Sequence, residues 1–242
     1  MAANVKNVLV GAAQIFTSTA TGADRPRTDV GADGLNWGTQ KAAGYLNNSS
    51  DWRDLGYTTA GLEVSYEPGY GEVMVDQLLD AARLFKQTVK VMLKTELTEG
   101  TLENIHLVFG QSDSVTTYSG ATGSEKTVFT AATSASANGS NAKLNISGGA
   151  LGEAPMERSI VAIGQAPGNI GTDTDAVDVS NVKKKERIYI ARRVVQVEVT
   201  SHGLKRDSAT VFPVQFRCLP DDNDLYDGAE YGVIIDRVYS TL

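Results

Sequence analysis

The chain reads as a mainly β protein, and three observations carry that reading. Its last third is built from runs rich in Val, Ile, Phe and Tyr, each bounded by turn residues: ERIYIARRVVQVEVT, SATVFPVQFRCLP and AEYGVIIDRVY. The stretch from Leu62 to Leu97 alternates apolar and polar side chains with a period of two, the mark of a sheet with unlike faces. Helical periodicity is confined to short segments. Regularly spaced strands with few helices predict two packed antiparallel β-sheets, as a sandwich or barrel-like pair, flanked by one main helix near residues 99–109.

The 242 residues suffice for one domain with its own core and no covalent staples. A net charge of −7 argues against a protein that grips nucleic acid through its overall field, because such binding needs clustered Lys and Arg on phosphates. Meeting DNA by repelling it stays open. Cys218 is the sole cysteine, so no intrachain disulfide forms, and its strand-like surroundings mark it as a small buried apolar residue of a protein made in a reducing cytoplasm. No run approaches the ~20 apolar residues of a membrane-spanning helix, and a soluble chain without membrane insertion is expected. The N-terminal run MAANVKNVLVGAAQIF is too brief, and too interrupted by Asn7, for a signal peptide; it predicts a strand over Val5–Val10.

Residues 17–52 are rich in Thr, Gly, Asp and Asn, with isolated Trp37, Tyr45 and Trp52. A connection of that length is usually functional or ordered by a partner, and the three aromatics are candidate inter-subunit contacts; rings that pin the loop onto its own domain are the bland alternative. Two strands are expected next, joined through Pro68, Gly69 and Gly71. Leu62, Val64, Tyr66, Val73 and Val75 lie on their greasy side, and Glu63, Ser65, Glu67, Glu72 and Asp76 on the polar side. DQLLDAARLFK places Leu78, Leu79, Ala82 and Phe85 at helical spacing behind Asp76 as a cap, predicting a short helix. TVKVMLKTEL returns to alternation, with Val89, Val91, Leu93 and Leu97 against Lys90, Lys94 and Glu96. LTEGTLENIHLVFG gives the strongest helix, with Leu102, Ile105 and Phe109 on one stripe, Glu99 and Glu103 early, and Gly110 as a stop; His106 falls off the stripe, toward solvent.

Residues 111–155 form a Ser, Thr, Ala and Gly field broken by two apolar groups, Val128 with Phe129 and Leu144 with Ile146, which predicts an exposed hairpin on an insertion. RSIVAIG restores the core pattern. A polar loop then leads through Lys183, Lys184 and Lys185, a solvated face on entry to a strand, into the C-terminal strands. Pro213 within one of these marks an edge or a bulge.

The chemistry-bearing patterns are sparse. Two histidines, His106 and His202, do not supply a metal cluster or a His-based catalytic pair. Glu63 and Glu67 lie ~13 Å apart along one strand, too far to act alone as a glycosidase pair. No nucleophile elbow, Walker loop or H-E-x-x-H occurs, and Gly69-Tyr70-Gly71 fails the dinucleotide pattern at its third glycine. The turn PDDNDLYDGAEYG crowds Asp221, Asp222, Asp224 and Asp227 around Gly228, but its spacing departs from an EF-hand loop. No enzyme, no cofactor and no metal is expected.

Taken in order, GYTTAGLEVSYEPGYGEVMVDQLLDAARLFK, TVKVMLKTELTEGTLENIHLVFG and TVFPVQFRCLPD with GAEYGVIIDRVY resemble the major tail tube protein of long-tailed, siphovirus-type bacteriophages, most of all those of actinobacterial hosts. The resemblance covers about half of the chain; residues 111–155 and the lysine-entered loop lie outside it. It implies a tail-tube subunit of two packed sheets flanked by a helix, hexameric rings stacked into a hollow virion tube, and transient non-specific passage of the genome through the bore. It also implies a tape measure protein, a tail terminator and distal tail proteins as partners.

Under that resemblance, Glu63, Ser65, Glu67, Glu72 and Asp76, with Lys90 and Lys94 paired to the carboxylates, line an acidic lumen, while Trp37, Tyr45 and Trp52 serve contacts between subunits or rings. The rival reading is a carbohydrate-binding β-sandwich adhesin using Trp37, Tyr45, Trp52 and the DDND turn, with calcium. An acidic-dyad hydrolase is a third reading, without local support.

Overall fold

The computed structural model describes residues 13–18, 52–77, 80–111, 155–167, 183–198, 209–222 and 227–240, with short pieces between them. The chain is mainly β. One antiparallel sheet of eight strands dominates: β1 (Gln14–Ser18), β2 (Trp52–Asp54), β3 (Thr58–Val73), β4 (Arg83–Leu97), β9 (Glu157–Gln165), β10 (Lys183–Gln196), β11 (Phe212–Cys218) and β12 (Gly232–Ser240). Their order is β2-β1-β9-β10-β11-β4-β3, with β12 also on β10, so β2 and β3 are ends and the sheet does not close into a barrel. Between β4 and β9 the short strands β5 (Ser114–Val115) and β6 (Lys126–Thr127) pair with each other, as do β7 (Phe129–Thr130) and β8 (Lys143–Leu144). Phe129 stands opposite Leu144 in the β7–β8 register.

Among the described residues there is one helix, α1 (Leu102–Phe109). Its ends are where capping chemistry puts them. The Thr101 hydroxyl accepts from the Asn104 amide at 3.2 Å, and Gly110 takes a left-handed φ of 62° while its amide donates to Leu107. The buried residues, however, are Asn104, His106, Leu107 and Val108, whereas Leu102, Ile105 and Phe109 are only half-buried. The helix is rotated from the stripe that hydropathy alone selects, because Asn104 is drawn inward by backbone groups: it donates to the carbonyls of Leu55 at 3.1 Å and Glu99 at 2.9 Å. His106 is therefore buried and not solvated.

The core divides between the sheet's faces. In β11 alternation sends Phe212, Val214, Phe216 and Cys218 inward, where they meet Leu93, Leu97, Ile15, Ile160 and α1 through Leu107 and Val108. On the opposite face of β1, β9 and β10 a second cluster joins Phe16, Val161, Ile163, Ile188 and Ile190. That part of the sheet is apolar on both sides, so its strands read as near-continuous hydrophobic runs.

β10 is the trunk of the architecture. One side pairs with β9; the other pairs with β12 over Lys183–Ala191 and then with β11 over Val194–Gln196. The register shifts between Ala191 and Val194, so the sheet forks there at Arg192 and Arg193. Pro213 sits in an interior strand by order, but β10 ends opposite Phe216, which leaves that part of β11 a local edge on one side.

Three expectations are corrected. β3 is one strand of sixteen residues that runs through Pro68, Gly69 and Gly71. The described residues of DQLLDAARLFK are not helical: Asp76 and Gln77 lie in a turn, Ala82 donates to Val73 at 2.8 Å, and β4 starts at Arg83. Residues 17–52 are not irregular throughout, since β1 extends to Ser18 and pairs antiparallel with β2, Ser18 opposite Trp52. The strand expected over Val5–Val10 and the lysine side chains entering β10 lie outside what is described.

Candidate assembly surface on the β3–β4 arm

β3 and β4 form a long hairpin whose root is held by β11, which pairs with β4 only over Val91–Leu97. Beyond Tyr66 and Val91 no third strand follows among the described residues, and there the hairpin continues as a two-stranded arm for roughly 20 Å. Two offsets shape it. Between Thr58 and Leu62 the extra residues lie in β3, where Gly61 takes a φ of 69° and its carbonyl accepts from the Thr95 hydroxyl at 2.7 Å. Farther out, Gly69 faces Thr88 and Tyr70 faces Lys86, so Gln87 is the extra residue of a bulge. Just past it the Phe85 ring occupies the space that a side chain at Gly71 would need.

The register decides which expected residues share a face. Glu63 stands opposite Lys94, Ser65 opposite Met92 and Glu67 opposite Lys90, all on the face turned away from the α1 core. Each carboxylate thus has an ammonium-bearing residue directly across the ladder, within the range where opposite charges contribute ~0.2–1 kcal/mol. The face is balanced in sign where an acidic one was expected. Glu72 falls on the other face, since β3 alternates without interruption from Glu63 to Val73, and Asp76 belongs to the end turn. The expected set of Glu63, Ser65, Glu67, Glu72 and Asp76 therefore does not form one surface. The premise of two separate strands, each with its own parity, produced that grouping.

The other face changes character along its length. At the root Leu93 is buried, and Leu62 and Val91 pack against the α1 cluster. Outward, Val64, Tyr66, Tyr70 and Leu84 are exposed, and on the opposite side so are Val73 and Phe85. Burial of Val64, Tyr66, Val73 and Val75 within the subunit, expected from their alternation, does not occur. Lys86 crosses the ladder to donate to the Tyr66 hydroxyl and lies 5.1 Å from that ring's centroid. The hydrogen bond to Tyr66 raises the Lys86 pKa above its ordinary value.

On the core face of the sheet α1 covers only part of the surface. The remainder is an open trough of about 290 Å³ between the arm's root and β9, β10 and β12. Its walls include Leu62, Val64, Tyr66, Ala162, Tyr189 and Ile234, and no charged residue lines it. Cys218 lies at its base, buried, with its thiol pushed up to about 12 by desolvation.

No protein-family model matches this chain, and no curated protein matches it. Ion pairs elsewhere in the sheet are structural: Arg187 and Asp236 make a bidentate pair at 2.6 and 2.7 Å between β10 and β12, and Arg193 grips Glu157 of β9 at 2.9 and 2.7 Å. The arginine's hydrogen bonds hold the Asp236 carboxyl below its usual range. Among the described residues no group of His, Cys, Asp and Glu has the arrangement of a metal site, and no helix is long and apolar enough to cross a membrane. Trp37, Tyr45 and Asp224 lie outside the described residues; Trp52 opens β2.

Sequence reasoning singled out the stretch that β3 and β4 occupy but placed a turn at Pro68–Gly71, and it missed the bulge, the aromatic face and the trough. A signal for the aromatic face was present: Tyr66 and Tyr70 share one parity on either side of Pro68 and Gly69.

Proposed function

We propose that this chain is a structural subunit that assembles into stacked hexameric rings, forming the hollow tail tube of a long-tailed bacteriophage through which the genome passes. The observation that carries the reading is the β3–β4 arm. A two-stranded ribbon exposed on both faces is marginal in water, and among the described strands the sixteen-residue β3 pairs on one side only, with β4. Both features call for company, and an open sheet with two different ends is suited to continue into its neighbours until a ring closes. The sequence phrases that resemble major tail tube proteins coincide with β3, β4, α1, β11 and β12. A two-sheet tail-tube arrangement would then be completed by neighbouring copies.

In this reading the face bearing Glu63, Ser65, Glu67, Lys90 and Lys94 is the wall of the bore. Carboxylates prevent lysines from acting as phosphate traps, so duplex DNA slides past a surface with no net attraction. A tape measure protein, a tail terminator and distal tail proteins are the partners this role requires. The direct test is electron microscopy of purified protein at high concentration. Rings or tubes of uniform bore are expected, and a protein that stays monomeric under all assembly conditions refutes the proposal.

A further inference from the structure

We infer that the polar face of β3, β4 and β11 carries a phosphate contact, made by Arg217 with Lys90 and Lys94 beside it, whose partner is the backbone of duplex DNA. This rests on the reading of that face as the wall of the bore, and it names the residues that touch the genome.

Register supplies the charge accounting. Past the arm, the face turned away from the α1 core takes in Met92 of β4 and Gln215 and Arg217 of β11, because Gln215 stands opposite Lys94 and Arg217 opposite Met92. On the arm Glu63 meets Lys94 and Glu67 meets Lys90, and charge cancels. Arg83 at the far end and Glu96 at the root add a charge of each sign. Arg217 is left over. Met92 and Val195 stand opposite it on its two neighbouring strands, so no carboxylate lies directly across from it. The next residue in that row is Glu157, whose two oxygens already accept from Arg193.

The charged neighbours of Arg217 repel it. Lys90 and Lys94 lie two residues to either side of Met92, as its diagonal neighbours at ~7–8 Å, while Glu63 and Glu67 lie a strand farther off. All three cations are exposed. In a chain of net charge −7 this is a local reversal of sign, and an anion placed among the three relieves their repulsion.

The chemistry selects the anion. A guanidinium offers a planar fork to two oxygens of one phosphate, and ammonium groups serve adjoining phosphates as point charges. Ser65, Met92 and Gln215 stand between the charges, and the apolar trough lies on the opposite face. An acidic peptide needs pockets for its side chains, whereas sequence-independent contact with a phosphate backbone needs charge alone. A conduit also needs its contacts few. The paired stretch of the arm leaves DNA free, and Arg217 marks the level of each ring at which it is held lightly.

The test uses the purified full chain and a short fluorescent DNA duplex at low salt, read by anisotropy. The wild-type chain binds weakly, and binding falls as salt rises. Arg217→Gln binds about fivefold more weakly, and its log–log salt slope is shallower by about one. Arg217→Lys keeps the slope. Arg206→Gln, at an exposed position on the connection between β10 and β11, keeps both affinity and slope. Chemical denaturation midpoints of the variants coincide with that of the wild type, because Arg217 takes part in neither ion pair of the sheet.

Unchanged affinity and slope in Arg217→Gln overturn the inference, as does a wild-type chain that binds no duplex. Equal loss in Arg206→Gln overturns it too, since that marks a diffuse field, and so does tighter binding of polyglutamate than of duplex. Microscopy of the same samples separates the two readings. Tubes whose duplex binding is indifferent to Arg217 overturn this contact alone, whereas a chain that binds duplex through Arg217 and never assembles overturns the conduit alone.

Discussion

Replacing Glu63 and Glu67 by Lys changes one surface and little else. Both side chains are exposed, and both lie on the face away from the α1 core. Wild-type β3 and β4 set two carboxylates against Lys94 and Lys90; the double variant sets four ammonium groups on the same patch. Within the subunit, two favourable cross-strand pairs become like-charge pairs, at a cost of about 1 kcal/mol in total. That is small against a domain's stability of ~5–15 kcal/mol, so folding and assembly survive.

Toward DNA the effect is larger. An ammonium about 4 Å from a phosphate gains about 1 kcal/mol in water, and the gain recurs for every new lysine around each ring and along the stack. Each advancing base pair then has to escape a bound state. The assay is the time course of genome release from purified particles, alongside particle yield. Release slows at unchanged yield, and added salt restores its rate because counterion competition weakens phosphate contacts. Normal release at normal yield refutes the assignment of this face to the bore.

Other perturbations address the fold and its pH response. Asn104→Ala leaves the carbonyls of Leu55 and Glu99 without their buried donor and costs about 2–3 kcal/mol, measured by chemical denaturation. Gly110→Ala forces a side chain into a left-handed cap against Gln196 and costs about 1–2 kcal/mol in the same measurement. Asp236→Asn, which breaks a partly exposed pair, costs about 0.5 kcal/mol at neutral pH. Because the folded Asp236 pKa is depressed, this difference is fully present above the ordinary carboxylate pKa of about 3.9 and vanishes as pH falls through the folded value, as denaturation at a series of pH values reports. Replacing residues 19–51 by Asn-Gly joins Ser18 to Trp52, which already face each other, through a two-residue hairpin turn. The variant folds but forms no long tubes in microscopy, and long tubes from it refute a role for that segment in stacking.

Legibility in the sequence followed the local physics. The C-terminal end of α1 was readable because Gly110 acts through nearest neighbours; its start, set by the Thr101 cap, was placed near 99, and its buried side was not readable, since Asn104 is turned inward by carbonyls of Leu55 and Glu99 that only the fold brings near. β9 to β12 were readable because their apolar runs are bounded by strong turn residues. The hairpin misled in two places. Pro68, Gly69 and Gly71 signal a turn, but in an edge strand a proline forfeits little and the Phe85 ring fills the gap left by Gly71. DQLLDAARLFK has helical spacing over a span too short to nucleate alone, and the ladder from Leu97 back to Arg83 claims its second half. The candidate wall was legible as alternation. The pairing of Lys90 and Lys94 with carboxylates was expected too, but not which residues meet, because opposition of Glu63 to Lys94 depends on register across a turn ten residues away.

The fork at Arg192 and Arg193 also governs how the subunit carries load. Arg192 donates to the Ala229 carbonyl just ahead of β12, while Arg193 grips Glu157 of β9 and the Pro220 carbonyl just after β11. Tension on the arm travels through β4 and β11 to the last residues of β10, then past these two side chains into β9 and β12. Along that route the backbone ladders lie crosswise to the pull and are loaded in shear, many bonds at once, instead of peeling singly. The arginines act as cleats where the β9–β10 ladder slips register, so in the proposed tube each subunit would flex at this fork while its strands stay joined.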